Sequence, residues 1–168
     1  MSAATATKLS IAEIRAAYAR IEQHIHRTPV LTNKTFNALS GGLQLFFKCE
    51  NLQKTGAFKA RGACNAVLKA KSDLGDGLKG LFVSQEIREN NFVLFDYSFL
   101  SKGIVTHSSG NHGQAVAYAC SVASVPCTVV VPKDTPQIKV QYKYISIREG
   151  NVSCLLFLLF HLLQQCVR

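Results

Sequence analysis

Ile11, Ile14, Tyr18, Ile21 and Ile25 recur at helical spacing and predict one apolar face on an N-terminal helix. Ser10 followed by Glu13 forms a capping box at its start, each residue satisfying an amide the other end leaves open. Thr28-Pro29 ends the segment, because a residue before proline is pushed out of the helical region. Val30–Thr32 then reads as a short extended piece, and Lys34–Leu39 as a brief helix stopped by Ser40-Gly41-Gly42. Leu43–Cys49 is a strand candidate between those glycines and a polar loop. Ala60–Lys71 predicts a helix with small residues on one side, and Ser72–Gly77 a loop.

Further along, Ile104–His107 reads as a strand, Ser108–Asn111 as a tight turn and Gly113–Ala123 as an Ala-rich helix. Pro126 separates that helix from Cys127–Val131, a β-branched run with the look of a buried strand. Strand, turn, helix, strand is a βαβ unit, so a parallel α/β sheet is expected. Residues 81–103 break the rhythm: they are aromatic-rich, without a steady period, and bracketed by Leu78-Lys79-Gly80 and Ser101-Lys102-Gly103. Their removal would join Gly80 to Ile104 through an ordinary short loop. From about Gln141 to Arg168 the alternation of strand and helix also stops.

The 168 residues and a hydrophobic share of 48% allow one globular domain with a real core. Nineteen Lys and Arg stand against ten Asp and Glu, but the cations are scattered singly and never interleave with aromatics. A nucleic-acid footprint should cluster on one face, so a nucleic-acid partner is not expected. The six cysteines form no C-x-x-C pair and no zinc spacing; they read as reduced thiols in a cytoplasmic protein, and no metal site is assigned. No apolar segment follows Met1 as in a secretory signal, and the apolar run Val152–Leu163 falls short of the roughly 20 residues a bilayer requires. A membrane partner is therefore not expected either.

Two stretches carry candidate chemistry. In Lys54-Thr55-Gly56-Ala57-Phe58-Lys59-Ala60-Arg61-Gly62 a lysine stands behind a glycine loop at a helix start. That setting suits nucleophilic work, because desolvation and the positive helix end both favour a free amine over an ammonium. Taken alone the signal is weak, because most lysines are solvated surface residues. Thr106-His107-Ser108-Ser109-Gly110-Asn111-His112-Gly113 lies between a strand and a helix, where successive backbone amides suit a carboxylate or phosphate. An ordinary helix cap explains Ser and Asn there as well.

Together the two stretches resemble the fold-type II pyridoxal-phosphate enzymes, and the wording Ser108-Ser109-Gly110-Asn111-His112-Gly113 narrows the likeness to serine racemases and serine/threonine dehydratases. His26–Leu31, Phe46–Glu50 and Val129–Pro132 are similar to segments of the same family. The likeness covers residues 10–80 and 104–140. It implies an α/β fold, a partial and incomplete version of the three-layer tryptophan synthase β-like architecture with a parallel sheet. Residues 1–80 would belong to the cofactor-binding large domain and 104–140 to the small domain; 81–103 and 141–168 would be a non-family insert and tail, read as translated non-coding sequence.

The resemblance implies a role for each matched position. Lys59 binds pyridoxal phosphate and takes the substrate α-proton from one face, and Ser109 serves the opposite face. Phe58 packs beside the cofactor, and Asn111 bonds its 3′ oxygen. Ser108, Ser109, Asn111 and His112 form the substrate-carboxylate loop. Lys54 and Thr55 match a nucleotide effector site, although Asn33 and Lys34 depart from the serines usual nearby. The substrates implied are serine and threonine, the effectors ATP and a divalent metal, and the assembly a homodimer. No glycine-rich phosphate loop follows Gly113, and the metal site of the family lies downstream of the matched region. Two readings stay open: a racemase/ammonia-lyase, or an inactive portion that at most binds a full-length subunit.

Overall fold

A computed structural model describes residues 9–74, 81–82, 103–132, 135–136, 138 and 152–157, and of 81–82 and 152–157 it describes the backbone alone. Helix α1 (Ile11–Ile21) begins with the capping box: the Ser10 amide donates to Glu13 Oε2 at 2.7 Å and the Glu13 amide to Ser10 Oγ at 3.2 Å. These bonds hold the Glu13 carboxyl below its ordinary value. The chain then tightens through a 3₁₀ turn, Glu22–His24, and becomes extended at Ile25, ahead of Thr28-Pro29. The expected apolar face is only partly used. Ile21 is buried and Ile25 packs beside it, while Ile11, Ile14 and Tyr18 are 63%, 47% and 47% exposed. Helix α1 packs on α3 (Lys59–Leu74), to which Arg20 is tied through the Asn65 side chain.

Strands β1 (Val30–Thr32) and β2 (Phe46–Lys48) pair antiparallel, Val30 opposite Lys48 and Thr32 opposite Phe46. Between them lies α2 (Lys34–Leu39), capped by Asn33, whose side chain accepts the Phe36 amide at 3.0 Å. The larger sheet is parallel throughout and in chain order: β3 (Leu81–Phe82), β4 (Ile104–His107), β5 (Cys127–Pro132) and β6 (Val152–Phe157). Helix α4 (Asn111–Ala123) connects β4 to β5 and completes the expected βαβ unit. Strand β3 falls within the segment expected to be an insert, and β6 within the expected tail. Residues 83–102 and 158–168 of those segments lie outside the described residues.

The core forms where α3 and α4 pack on each other and on the sheet. Ala63, Cys64 and Val67 of α3 meet Ala115, Val116, Ala119 and Cys120 of α4, with Ile104, Val129 and Val131 beneath. Small side chains on both helices let their backbones approach closely, which favours dense packing over bulk. Cys49, Cys64, Cys120 and Cys127 are free thiols, and burial pushes Cys64 up to about 11, so it packs as a small hydrophobe. Among the described residues no helix is long and apolar enough to cross a membrane.

Candidate active site

Helices α3 and α4 run in the same direction. Lys71 Nζ, near the end of α3, donates to the carbonyl of Ala123, the last residue of α4. Lys71 follows Lys59 by twelve residues and Ala123 follows Asn111 by twelve. At 1.5 Å per residue both spans are about 18 Å, so packed parallel helices bring Lys59 and Asn111 to one level. The turn Lys54–Gly56, just ahead of Lys59, lies against α4. The two sequence motifs, far apart in the chain, therefore open two adjacent helices at the same end. That end is also the carboxyl edge of β4, the side on which open parallel sheets bind their ligands.

The loop after β4 is held from both sides. The Ser108 amide donates to the Val130 carbonyl at 3.0 Å, continuing the β4–β5 ladder, and the Gly110 amide donates to Ser108 Oγ at 3.2 Å. Gly110 occupies the cap of α4 and brings no side chain to it; a Cβ there would meet nothing within 4 Å. The helix start thus opens onto free space. Ser108 and Ser109 are half-buried, Asn111 is exposed and His112 is buried.

On the α3 side, Lys59 is half-buried, and among the described residues its amine makes no hydrogen bond or ion pair. Thr55 adopts left-handed backbone angles, φ 59° and ψ 15°, and Gly56 follows with φ 68°. A threonine in that region is strained, because its branched Cβ crowds the following carbonyl. Its Oγ1 is buried with no hydrogen-bond partner. Phe58 is 62% exposed, beside open space at Gly56 and Gly62.

A polar network that the sequence reading did not single out holds the stretch before Lys59. Arg61 forks onto Glu50, Nε to Oε2 at 2.8 Å and a terminal nitrogen to Oε1 at 2.7 Å. Thr28 Oγ1 donates to the same Glu50 at 2.6 Å, and Lys48 Nζ donates to the Thr28 carbonyl at 2.6 Å. The Arg61 fork, aided by the Thr28 hydroxyl, holds the Glu50 carboxyl well below the carboxylate range, at about 2. Buried Gln53 accepts the amides of His26 at 2.8 Å and Lys54 at 2.9 Å, and donates to the His26 carbonyl at 2.8 Å. Glu50 and Arg61 both stand inside the stretches already quoted, but no local period pairs residues eleven apart.

The protein-family model described as "Pyridoxal-phosphate dependent enzyme" matches residues 21–144. The chain is 49% identical over 131 residues to the serine racemase of Dictyostelium discoideum, covering 78% of this chain and 32% of that protein. It is 42% identical over 127 residues to the beta-hydroxyaspartate dehydratase of Paracoccus denitrificans, covering 76% of this chain and 32% of that protein. Among solved structures, a pyridoxal 5′-phosphate-dependent aspartate racemase superposes with a TM-score of 0.67 at 40% identity, over 90% of this chain and 39% of that one. The chain spans about a third of the length of the curated relatives it matches.

Proposed function

The chain belongs to the family of pyridoxal-phosphate dependent enzymes, and from that premise we propose that it carries the lysine and substrate-loop portion of a serine racemase-like site. The reaction is racemisation of serine, with dehydration of serine or threonine to a 2-oxo acid and ammonia. What supports this reading is that α3 and α4 pack together with their ends joined, Lys71 to the Ala123 carbonyl, a course that would bring Lys59 and the Ser108–Asn111 loop to the same end. The residues present fit the cofactor: an unpartnered, half-buried lysine, a buried Thr55 hydroxyl without a partner, and open space at Gly56 and Gly110.

When bound, pyridoxal phosphate supplies the electron sink for negative charge at the substrate α-carbon. Lys59 Nζ would hold the cofactor and would move the substrate α-proton on one face, while Ser109 Oγ would move it on the other. Proton-bearing groups on two faces let the α-carbon recover either configuration. Asn111 holds the cofactor's 3′ oxygen, with Phe58 packed alongside. The α4 start, with Ser108, Ser109, Asn111 and His112, holds the substrate carboxylate, an anion suited to a helix N-terminus. A nucleotide effector would be held at Lys54 and Thr55. The free thiols accord with a reducing, cytoplasmic setting, and the assembly is a homodimer.

A second reading, which the sequence leaves open, is a chain that binds a full-length subunit and is itself inactive. The test is to add pyridoxal phosphate, reduce with borohydride, map the modified lysine by mass spectrometry, and follow α-proton exchange of L-serine in D₂O. Selective labelling of Lys59, lost in Lys59→Ala, with exchange lost in Ser109→Ala, is the expected result. Labelling spread over many lysines refutes the cofactor reading. Selective labelling without exchange favours the second.

A further inference from the structure

Lys59 and Arg61 stand two positions apart in the first turn of α3, which places them about 200° apart around the helix. The buried stripe of that helix, Ala60, Ala63, Cys64 and Val67, runs between them, so the two side chains leave from opposite flanks. Both are half-buried. The Arg61 flank is clamped by the two-pronged contact with Glu50, and weaker contacts run from Arg61 to the His26 carbonyl at 3.3 Å and Thr28 Oγ1 at 3.4 Å. Glu50 is in turn fixed by Thr28, whose carbonyl is held by Lys48 of β2. The backbone at this helix start offers little rigidity of its own. Its first bonds span three residues, Ala60 to Ala57 at 3.3 Å and Arg61 to Phe58 at 3.1 Å, a poorer geometry than the α-helical bond.

We infer that the Glu50–Arg61 pair is a positioning device for Lys59: by anchoring one flank of the first turn of α3 to β2 and the Thr28 segment, it sets the rotation at which the helix presents Lys59 on the other flank. The inference rests on Lys59 being the cofactor lysine. It adds that the Lys59 amine is directed by a guanidinium–carboxylate fork, a geometry that a lysine at position 61 cannot reproduce.

The test compares the rate of borohydride-trapped pyridoxal-phosphate labelling at Lys59 with that at Lys69, an exposed lysine ten residues further along the same helix. In the parent chain the Lys59-to-Lys69 ratio is well above one. In Glu50→Gln and in Arg61→Lys it falls about five-fold, the change expected when a charge-assisted fork becomes a single weaker bond. Tyr118→Phe, which removes the 2.6 Å bond to the His24 carbonyl without touching the Glu50–Arg61 pair, serves as the stability control and leaves the ratio unchanged. Should Glu50→Gln lose its circular dichroism signal, Arg61→Lys, which keeps the positive charge and the aliphatic stem, carries the comparison. A parent ratio near one removes the cofactor reading and this inference with it. A high parent ratio that persists in both folded variants, or that falls equally in Tyr118→Phe, overturns the inference alone.

Discussion

Replacing Gly103 by alanine tests how the strand that carries the substrate loop is seated. Gly103 has φ 134°, and a Cβ built on it would lie 2.2 Å from the Pro126 carbonyl oxygen, 2.8 Å from its carbon and 2.9 Å from its Cβ. The obstacle is backbone, so no side chain can swing aside. The same Pro126 oxygen accepts the Ile104 amide at 2.8 Å, and moving it away breaks the first rung between β4 and β5. An L side chain at such a φ costs about 1–3 kcal/mol. Overpacking adds about 1–3 kcal/mol, and the lost rung about 1 kcal/mol. A total of about 3–7 kcal/mol is a large part of the stability of a small domain. With a urea slope of about 1–3 kcal/mol per molar, the midpoint drops by about 2 M. Gly62→Ala is the internal contrast: a Cβ there meets nothing within 4 Å, and alanine inside α3 gains about 1 kcal/mol. Urea unfolding followed by circular dichroism should therefore move the two variants in opposite directions. If Gly103→Ala unfolds within about 0.5 kcal/mol of the parent, the seating of Gly103 against Pro126 described above is wrong.

Two further outcomes follow from the site. Glu50 ionises at about 2 in the folded chain against 4.5 for the free side chain, so its contribution to stability is full above pH 4.5 and is lost as the pH falls toward 2. Solvent reaches 21% of its side chain, and after screening the contribution is about 1–2 kcal/mol; thermal melts between pH 6 and pH 2 should fall less steeply in Glu50→Gln, and parallel curves refute the pairing. Thr55→Gly should stabilise the chain by about 1 kcal/mol, because it relieves left-handed strain and removes a buried hydroxyl without a partner. A lower urea midpoint in that variant contradicts the strain.

The elements with complete local signals were legible in the sequence. The Ser10–Glu13 capping box needs only residues three apart, and it forms with both of its bonds. Val30–Thr32, Lys34–Leu39 and Ile104–His107 occupy the bounds their punctuation predicts, because glycine, proline and asparagine act on the backbone beside them. The α1 face was over-read. Helical spacing says which side chains share a face, but Ile11, Ile14 and Tyr18 are covered only if another element arrives, and α3 reaches the far end alone. Strand β6 was missed for the converse reason: Val152–Phe157 has no alternation of its own, and its pairing comes from register with Cys127–Pro132.

The candidate site divides along the same line. Lys59 and the Ser108–His112 loop could be named from their wording, yet what makes them one site is the parallel course of α3 and α4, fixed by contacts such as Lys71 to Ala123 across fifty-two positions. The support beneath Lys59 is no easier to read, since Thr28, Lys48, Glu50, Gln53 and Arg61 come from three stretches of chain joined by side-chain hydrogen bonds. A motif that lists the residues nearest the chemistry therefore under-describes the site. Lys59 is only as well aimed as the helix turn that bears it, and that turn is held by a carboxylate eleven residues from the arginine it grips. Substitutions in this support should alter how selectively Lys59 reacts before they alter whether the chain folds, which separates a positioning network from a merely stabilising one.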